Sequence, residues 1–244
     1  MFQSWHHPLL QRAFERAAYI ITVSDALQER ILHYAPGMAS NIQSVPNMVD
    51  INFFTPPASK PSRAGIPFTF FSLAHHIRLK GLNTLLDAFA QMVKQGGSNI
   101  RLLIGGDGPE RSMLEQQCRN LGLESTVQFT GELNRQQVKQ HMQAADAFVL
   151  PSRFEAFGVV FIEAMACGLP VIAARAGGPE TFITPQTGML VPAGQPQALA
   201  EAMLQMAGKP EAFSRKEIRI YAATHFSKEA VARKHIDIYR QILK

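Results

Sequence analysis

The chain has 244 residues and a mass of 27.0 kDa, of which 46% are hydrophobic and 18% charged. That balance excludes a disordered or collagen-like chain and leaves room for one large domain, or for one domain plus part of another. The 24 basic and 19 acidic residues give a net charge of +5, a modest excess that favours anionic ligands without naming one.

No run of about 18 apolar residues is present, so no transmembrane helix is expected. The first ten residues, with Trp5, His6, His7 and Pro8, lack a basic-then-apolar signal pattern. Cys118 and Cys167 cannot make a disulfide framework or a C-x-x-C site, and a reducing cytoplasm is the default expectation. Basic runs and basic aromatic strands are missing too, so nucleic acid is not an expected partner.

In chain order, 19–23 reads as a strand, Ser24 as an N-cap, 26–34 as the helix it opens, and 42–45 as another strand. The stretch 54–63 is rich in proline and serine and reads as a linker. Strand-like and helix-like segments then alternate. Strands are predicted at 68–73, 100–104, 127–129, 147–150, 171–174 and 189–191. Helices are predicted at 81–93, from Pro109 through Arg119, at 135–144, 159–166 and 195–206, with a short one near Glu180. His75 and His76 read as strand neighbours facing opposite sides. The end of the chain, 226–243, reads as one amphipathic helix carrying Val231, His235, Ile238 and Ile242.

Apolar strands alternating with helices predict an α/β, doubly wound parallel sheet, whose ligands bind beyond the carboxyl ends of the strands. The predicted division is a remnant over 1–56, a linker over 57–66, a ligand-binding Rossmann-like domain over 67–208, and C-terminal helices over 209–244.

The stretch 150–172 carries the most chemistry. A strand ends at Leu150, a loop crosses Glu155 to Gly158, and a helix runs to Cys167. Gly158 lets a ligand approach the backbone, and the first helical amides form an anion site suited to phosphate. Glu155 and Glu163 lie eight residues apart, roughly 10 Å if the step is mostly helical. The two carboxylates can therefore meet hydroxyls on both sides of a diphosphate, which suits a nucleotide-sugar. A pair of glutamates at this spacing also arises by chance. Lys80 can equally be a solvated helix-start lysine, and Gly105, Gly106 and Gly108 simple turn residues.

Several further segments, in order, carry a resemblance. They are 21–24 (Ile-Thr-Val-Ser), 45–50 (Val-Pro-Asn-Met-Val-Asp), Lys80-Gly81, 105–110 (Gly-Gly-Asp-Gly-Pro-Glu), 129–131 (Phe-Thr-Gly), Ala145-Asp146, Pro151-Ser152, 163–170 (Glu-Ala-Met-Ala-Cys-Gly-Leu-Pro), 177–180 (Gly-Gly-Pro-Glu) and 187–192 (Thr-Gly-Met-Leu-Val-Pro). With Glu155 they resemble the C-terminal, donor-binding half of retaining glycosyltransferases of the GT-B fold, the "group 1" family, over nearly the whole chain.

The resemblance implies the following roles. Glu155 contacts hydroxyls of the donor sugar, and Glu163 hydrogen-bonds the ribose. The amides around Phe157, Gly158 and Val159 hold the diphosphate, Lys80 neutralises it as it leaves, and the backbone from Phe129 to Leu133 borders the base. The family usually has an arginine where His75 stands, and Arg78 is the candidate substitute. The C-terminal helix is expected to pack back on the N-terminal part.

The implied reaction moves a hexose from a UDP or GDP donor to a hydroxyl of a saccharide or lipid-linked acceptor with retention. No metal or other cofactor is implied. Peripheral membrane contact, self-association and a complementing N-terminal domain are open partner expectations. The rival readings are a non-catalytic nucleotide-sugar-binding module and a nucleotide-sugar epimerase sharing the fold.

Overall fold

The structure is a computed structural model, described here for residues 7–58 and 65–243. The chain starts with helix α1 (His7–Arg16), strand β1 (Ile20–Thr22), helix α2 (Asp25–Tyr34) and strand β2 (Ile42–Ser44). The sequence reading passed over α1. Ser24 caps α2 as expected, its hydroxyl accepting from the Leu27 amide at 3.3 Å. β1 and β2 pair in parallel as a two-stranded sheet.

Six parallel strands follow: β3 (Phe68–Leu73), β4 (Ile100–Gly105), β5 (Val127–Gly131), β6 (Ala147–Leu150), β7 (Val171–Arg175) and β8 (Gly188–Pro192). The helices between them are α3 (Leu82–Lys94), α4 (Arg111–Asn120), α5 (Arg135–Ala144), α6 (Val159–Ala166) and, after β8, α7 (Pro196–Gly208). The sheet order β5-β4-β3-β6-β7-β8 is the doubly wound order of the Rossmann-like fold. The chain runs one way from β3 to β5, then returns to the middle and runs the other way from β6. The reversal opens a crevice beyond the carboxyl ends of β3 and β6, which pair through Phe70–Ala147 and Phe71–Phe148.

Helices on both faces explain the sequence of the central strands. β6 is Ala-Phe-Val-Leu without polar alternation and is buried at all four positions. α6 is apolar nearly all round and lies deep in the core, with Phe161, Ile162, Ala164, Met165 and Ala166 buried. At the opposite end of the strands the β3–β6 pair is fixed by Asp146. Its carboxylate accepts from the Thr69 amide at 3.0 Å and lies 3.7 Å from Arg215.

The structure departs from the sequence pattern at several places. β3 ends at Leu73, so His75 and His76 lie in a loop rather than on a strand: His76 is buried and His75 exposed. The loop forms because the His76 amide bonds the Asp107 carbonyl at 2.8 Å, turning the backbone off the β4 ladder. α4 begins at Arg111 rather than Pro109, since the Glu110 amide is held by the His76 carbonyl at 3.0 Å.

The C-terminal segment is two helices, α8 (Arg215–Phe226) and α9 (Lys228–Ile242), not one. Ser227 divides them with extended backbone, and its hydroxyl caps α9 by accepting from Ala230. Phe54, read as the start of the linker, is a core residue, 1% exposed. Arg219 on α8 holds this segment through the carbonyls of Ile51 and Phe54 and ties it to the Ala166 carbonyl at the end of α6. Of the predicted linker, 59–64 lies outside the described residues. α9 packs on the small sheet, where Val231 and Ile238 meet Val45, Tyr19 and Ile21.

Candidate functional site

The crevice at the chain reversal is lined by two interlocked loops. The loop after β3 passes through a single 3-10 turn (Arg78–Lys80) and reaches Gly81, and the loop after β6 covers 151–158. Gly81 adopts φ 67°, and a Cβ there would fall 2.2 Å from the carbonyl oxygen of Pro151. Only glycine allows this approach. The Arg153 amide then donates to the Leu79 carbonyl at 2.7 Å.

This interlock brings the first two predicted site residues together. The Lys80 Nζ lies 2.7 Å from Glu155 Oε2, with both side chains mostly buried. Ser152 Oγ donates to the same oxygen at 3.3 Å. The backbone of Glu155 is strapped to the loop after β7: its amide donates to the Ala176 carbonyl at 3.0 Å, and its carbonyl accepts from the Gly178 amide at 2.7 Å. A Cβ on Gly178 would sit 2.4 Å from the Phe157 Cα, so this strap also requires glycine.

The step from Glu155 to Glu163 is helical only in its second half. Glu155 forms an isolated bridge with Gly177, Gly158 is left-handed at φ 94°, and α6 starts at Val159. The amides of Val159 and Val160, in the first turn, have no intrahelical acceptor and carry the positive end of the helix dipole into the crevice. Phe157 contributes its backbone here, because its ring is in the core against Phe182, with ring centres 4.9 Å apart. Glu163 is largely buried one turn further along α6. Burial pushes its carboxyl up to about 7, against the opposing charge of Arg135.

The remaining predicted residues divide. Phe129 and Leu133 lie at one edge of the same crevice. Phe129 carries the Arg111 guanidinium over its ring at 4.7 Å, and Leu133 packs over Gly105. His76 joins this edge to the Lys80 loop, with its ring 6.3 Å from that of Phe129 and Nε2 3.4 Å from the Gly105 carbonyl. Burial pushes its imidazole below the usual range, so it serves as a neutral strut. Arg78 is exposed on the 3-10 turn.

The sequence offers no signal for Arg111 and Arg135 as site residues; it marks Ser152 and Gly178 only as parts of the segments 151–152 and 177–180, without the contacts to Glu155 that the structure gives them. Among the described residues, no three His, Cys, Asp or Glu side chains cluster as a metal site, and no helix is long and apolar enough to cross a membrane.

Known proteins resemble this chain in sequence and fold. The family model of glycosyl transferases group 1 matches residues 59–225. A D-inositol 3-phosphate glycosyltransferase of Corynebacterium urealyticum is 30% identical over 250 residues, covering 95% of this chain and 58% of that protein. A GDP-mannose-dependent monoacylated alpha-(1-6)-phosphatidylinositol monomannoside mannosyltransferase of Corynebacterium glutamicum is 31% identical over 189 residues, 71% of this chain and 49% of that one. The chain thus spans about half the length of these curated relatives.

Among solved structures, HepE of Anabaena in complex with UDP and glucose superposes with a TM-score of 0.83 at 26% identity, covering 98% of this chain and 68% of that one. A sucrose-phosphate synthase of Thermosynechococcus elongatus gives 0.84 at 29% identity, with 99% and 62% covered. The fold is the Rossmann-like half of GT-B glycosyltransferases, and the chain belongs to the glycosyl transferases group 1 family.

Proposed function

We propose that the crevice binds a nucleoside diphosphate hexose and donates the hexose to an acceptor hydroxyl. The observation that carries this reading is the Lys80–Glu155 pair, held at the chain reversal beside the open amide end of α6, with Glu163 half-buried on the same helix. A diphosphate fits the helix N-terminus. Carboxylates on both sides accept from hydroxyls of the hexose and of the ribose, and the Phe129–Leu133 edge offers a ring and an aliphatic surface to the base. The relatives support the ligand class: HepE was solved with UDP and glucose, and the Corynebacterium glutamicum enzyme is GDP-mannose-dependent.

In the reaction, the acceptor oxygen bonds the anomeric carbon while the bond from that carbon to the diphosphate oxygen breaks. The electron pair leaves on the nucleoside diphosphate, and the acceptor proton passes to a diphosphate oxygen. Lys80 and the first amides of α6 stabilise the charge that develops on the leaving group. Entry of the new oxygen on the face that the diphosphate leaves gives retention, as the family resemblance implies. Glu155 then orients the hexose through its hydroxyls.

The test is calorimetric titration of the folded chain with UDP, GDP and ADP, followed by sugar conjugates of the tightest. Saturable binding of one nucleotide and tighter binding of its hexose conjugate are expected. Absence of binding to all three would overturn the reading, and an isomerised donor in place of transferred sugar would assign an epimerase.

A further inference from the structure

The Lys80–Glu155 pair is complete in itself, with Lys80 Nζ on Glu155 Oε2 at 2.7 Å, yet the same ammonium is the group that meets the diphosphate in the proposed reaction. A lysine ammonium has three donors on a flexible four-carbon stem, so it can turn from one oxygen to another. When it turns, Glu155 Oε2 loses its cation in a loop where the side chain is only 13% exposed. A carboxylate oxygen so far removed from water needs a replacement donor.

One stands beside it. Ser152 Oγ donates to Oε2 at 3.3 Å, and Ser152 is 1% exposed. The contact is longer than the usual hydroxyl bond of about 2.7 Å, while the ammonium sits closer on the same oxygen. Ser152 is also the fixed member of the set. The chain is pinned on both sides of it, by the Pro151 carbonyl packed against Gly81 and by the Arg153 amide on the Leu79 carbonyl. The Glu155 backbone is fastened separately, to Ala176 and Gly178. Among the described residues, no side chain or amide donates to Glu155 Oε1.

We propose that Ser152 is a positioning residue that takes over Glu155 Oε2 when Lys80 turns to the diphosphate, and so keeps Oε1 presented to the hexose. This role rests on the reading of the crevice as a nucleotide-sugar site. A carboxylate offers about four lone-pair directions. With Oε2 held by a hydroxyl on a pinned loop, the plane of the group is set, and Oε1 accepts only from sugar hydroxyls that reach it in one orientation. Ser152 thereby shapes the choice among hexoses without touching one.

Calorimetry tests this on the full chain and on Ser152→Ala, Glu155→Ala and the double variant. Each is titrated with UDP, GDP and ADP, then with the glucose, galactose and mannose conjugates of the tightest nucleotide. Ser152→Ala removes one oxygen and should bind the plain nucleotide within about twofold of the parent, which reports a folded crevice. It should bind the preferred hexose conjugate about tenfold more weakly, the loss of one hydroxyl bond to a charged group. The affinity ratio between that hexose and the other two should shrink. In the Glu155→Ala background the same substitution should change nothing further.

Equal losses on the plain nucleotide and the conjugate would make Ser152 a structural residue of the loop and overturn the proposal. An undiminished effect in the Glu155→Ala background would overturn it as well. If the parent binds no nucleotide, the reading of the crevice fails and this role fails with it. If the parent binds nucleotide and conjugate and Ser152→Ala matches it on both, Ser152 alone is overturned.

Discussion

Lys80 and Glu155 come from loops 75 residues apart in sequence, yet their charged atoms meet at 2.7 Å. What joins them is backbone packing beneath: Gly81 under the Pro151 carbonyl and the Arg153 amide on the Leu79 carbonyl. The pair therefore marks the reversal point of the sheet, and in the proposed reaction its cation meets the leaving diphosphate and its carboxylate the hexose. Lys80→Ala should lower the transfer rate by about a hundredfold or more, as loss of one preorganised charge donor does, with a much smaller effect on nucleotide affinity. Lys80→Arg, which keeps the charge but changes its shape, should recover only part of the rate. Steady-state kinetics with a fixed donor checks both, and an unchanged rate in Lys80→Ala would remove Lys80 from the leaving-group role.

The two glutamates should separate by ligand. Glu163→Ala is expected to weaken plain nucleoside diphosphate and its sugar conjugate alike, by about tenfold, the loss of roughly one charge-assisted hydrogen bond. Glu155→Ala should spare the plain diphosphate and weaken only the hexose conjugate. Calorimetry with both ligands on both variants decides the matter, and equal losses on the plain diphosphate would end the division of roles.

Glu163 also makes a pH prediction. Its carboxyl is raised to about 7 by burial, so between its ordinary value of 4.5 and 7 the folded chain holds a proton that the unfolded chain has released. The stability contribution is complete below about pH 4.5 and is lost as pH rises through 7. Glu163→Gln removes that loss. It should raise the melting temperature at pH 8 relative to the parent and change it little at pH 5, with a gain on the order of 2 kcal/mol at the higher pH. Donor binding should move the opposite way. A carboxylate accepts two hydroxyl hydrogen bonds and a carboxylic acid fewer, so affinity for a nucleotide-sugar should rise from pH 6 to 8 in the parent and stay flat in Glu163→Gln.

The sheet was legible because its strands are predominantly apolar, β6 throughout, and helices such as α3 carry a regular apolar face. β6 and α3 were read within a residue of their observed limits. The positions that failed are those where tertiary hydrogen bonds override local pattern. His75 and His76 continue an apolar strand in sequence, but the Asp107 carbonyl draws the chain aside. α8 has only Ile218, Ala222 and Phe226 buried, too narrow a stripe to announce a helix in advance. In the crevice, the sequence offered the charged residues and glycines of the motif. It could not offer Arg135, whose charge acts on Glu163 through the fold rather than through spacing along the chain.

Gly81 is left-handed, caps α3, and has no space for a Cβ because the Pro151 carbonyl oxygen would be 2.2 Å away. Gly81→Ala faces both a strained backbone, on the order of 1 kcal/mol, and a collision with backbone that cannot rotate aside as a side chain would. The loops must part to admit it. The expected result is a loss of more than about 2 kcal/mol in denaturant unfolding, together with loss of donor binding, because Lys80 moves with Gly81 and Glu155 with Pro151. Gly122→Ala is the control: it has a similar φ of 69° but open space where the Cβ would go, far from the crevice loops in sequence. It should show only the backbone cost, with donor affinity intact. If Gly81→Ala unfolds no more readily than Gly122→Ala and still binds donor, then the contact with Pro151 does not hold the two loops in register.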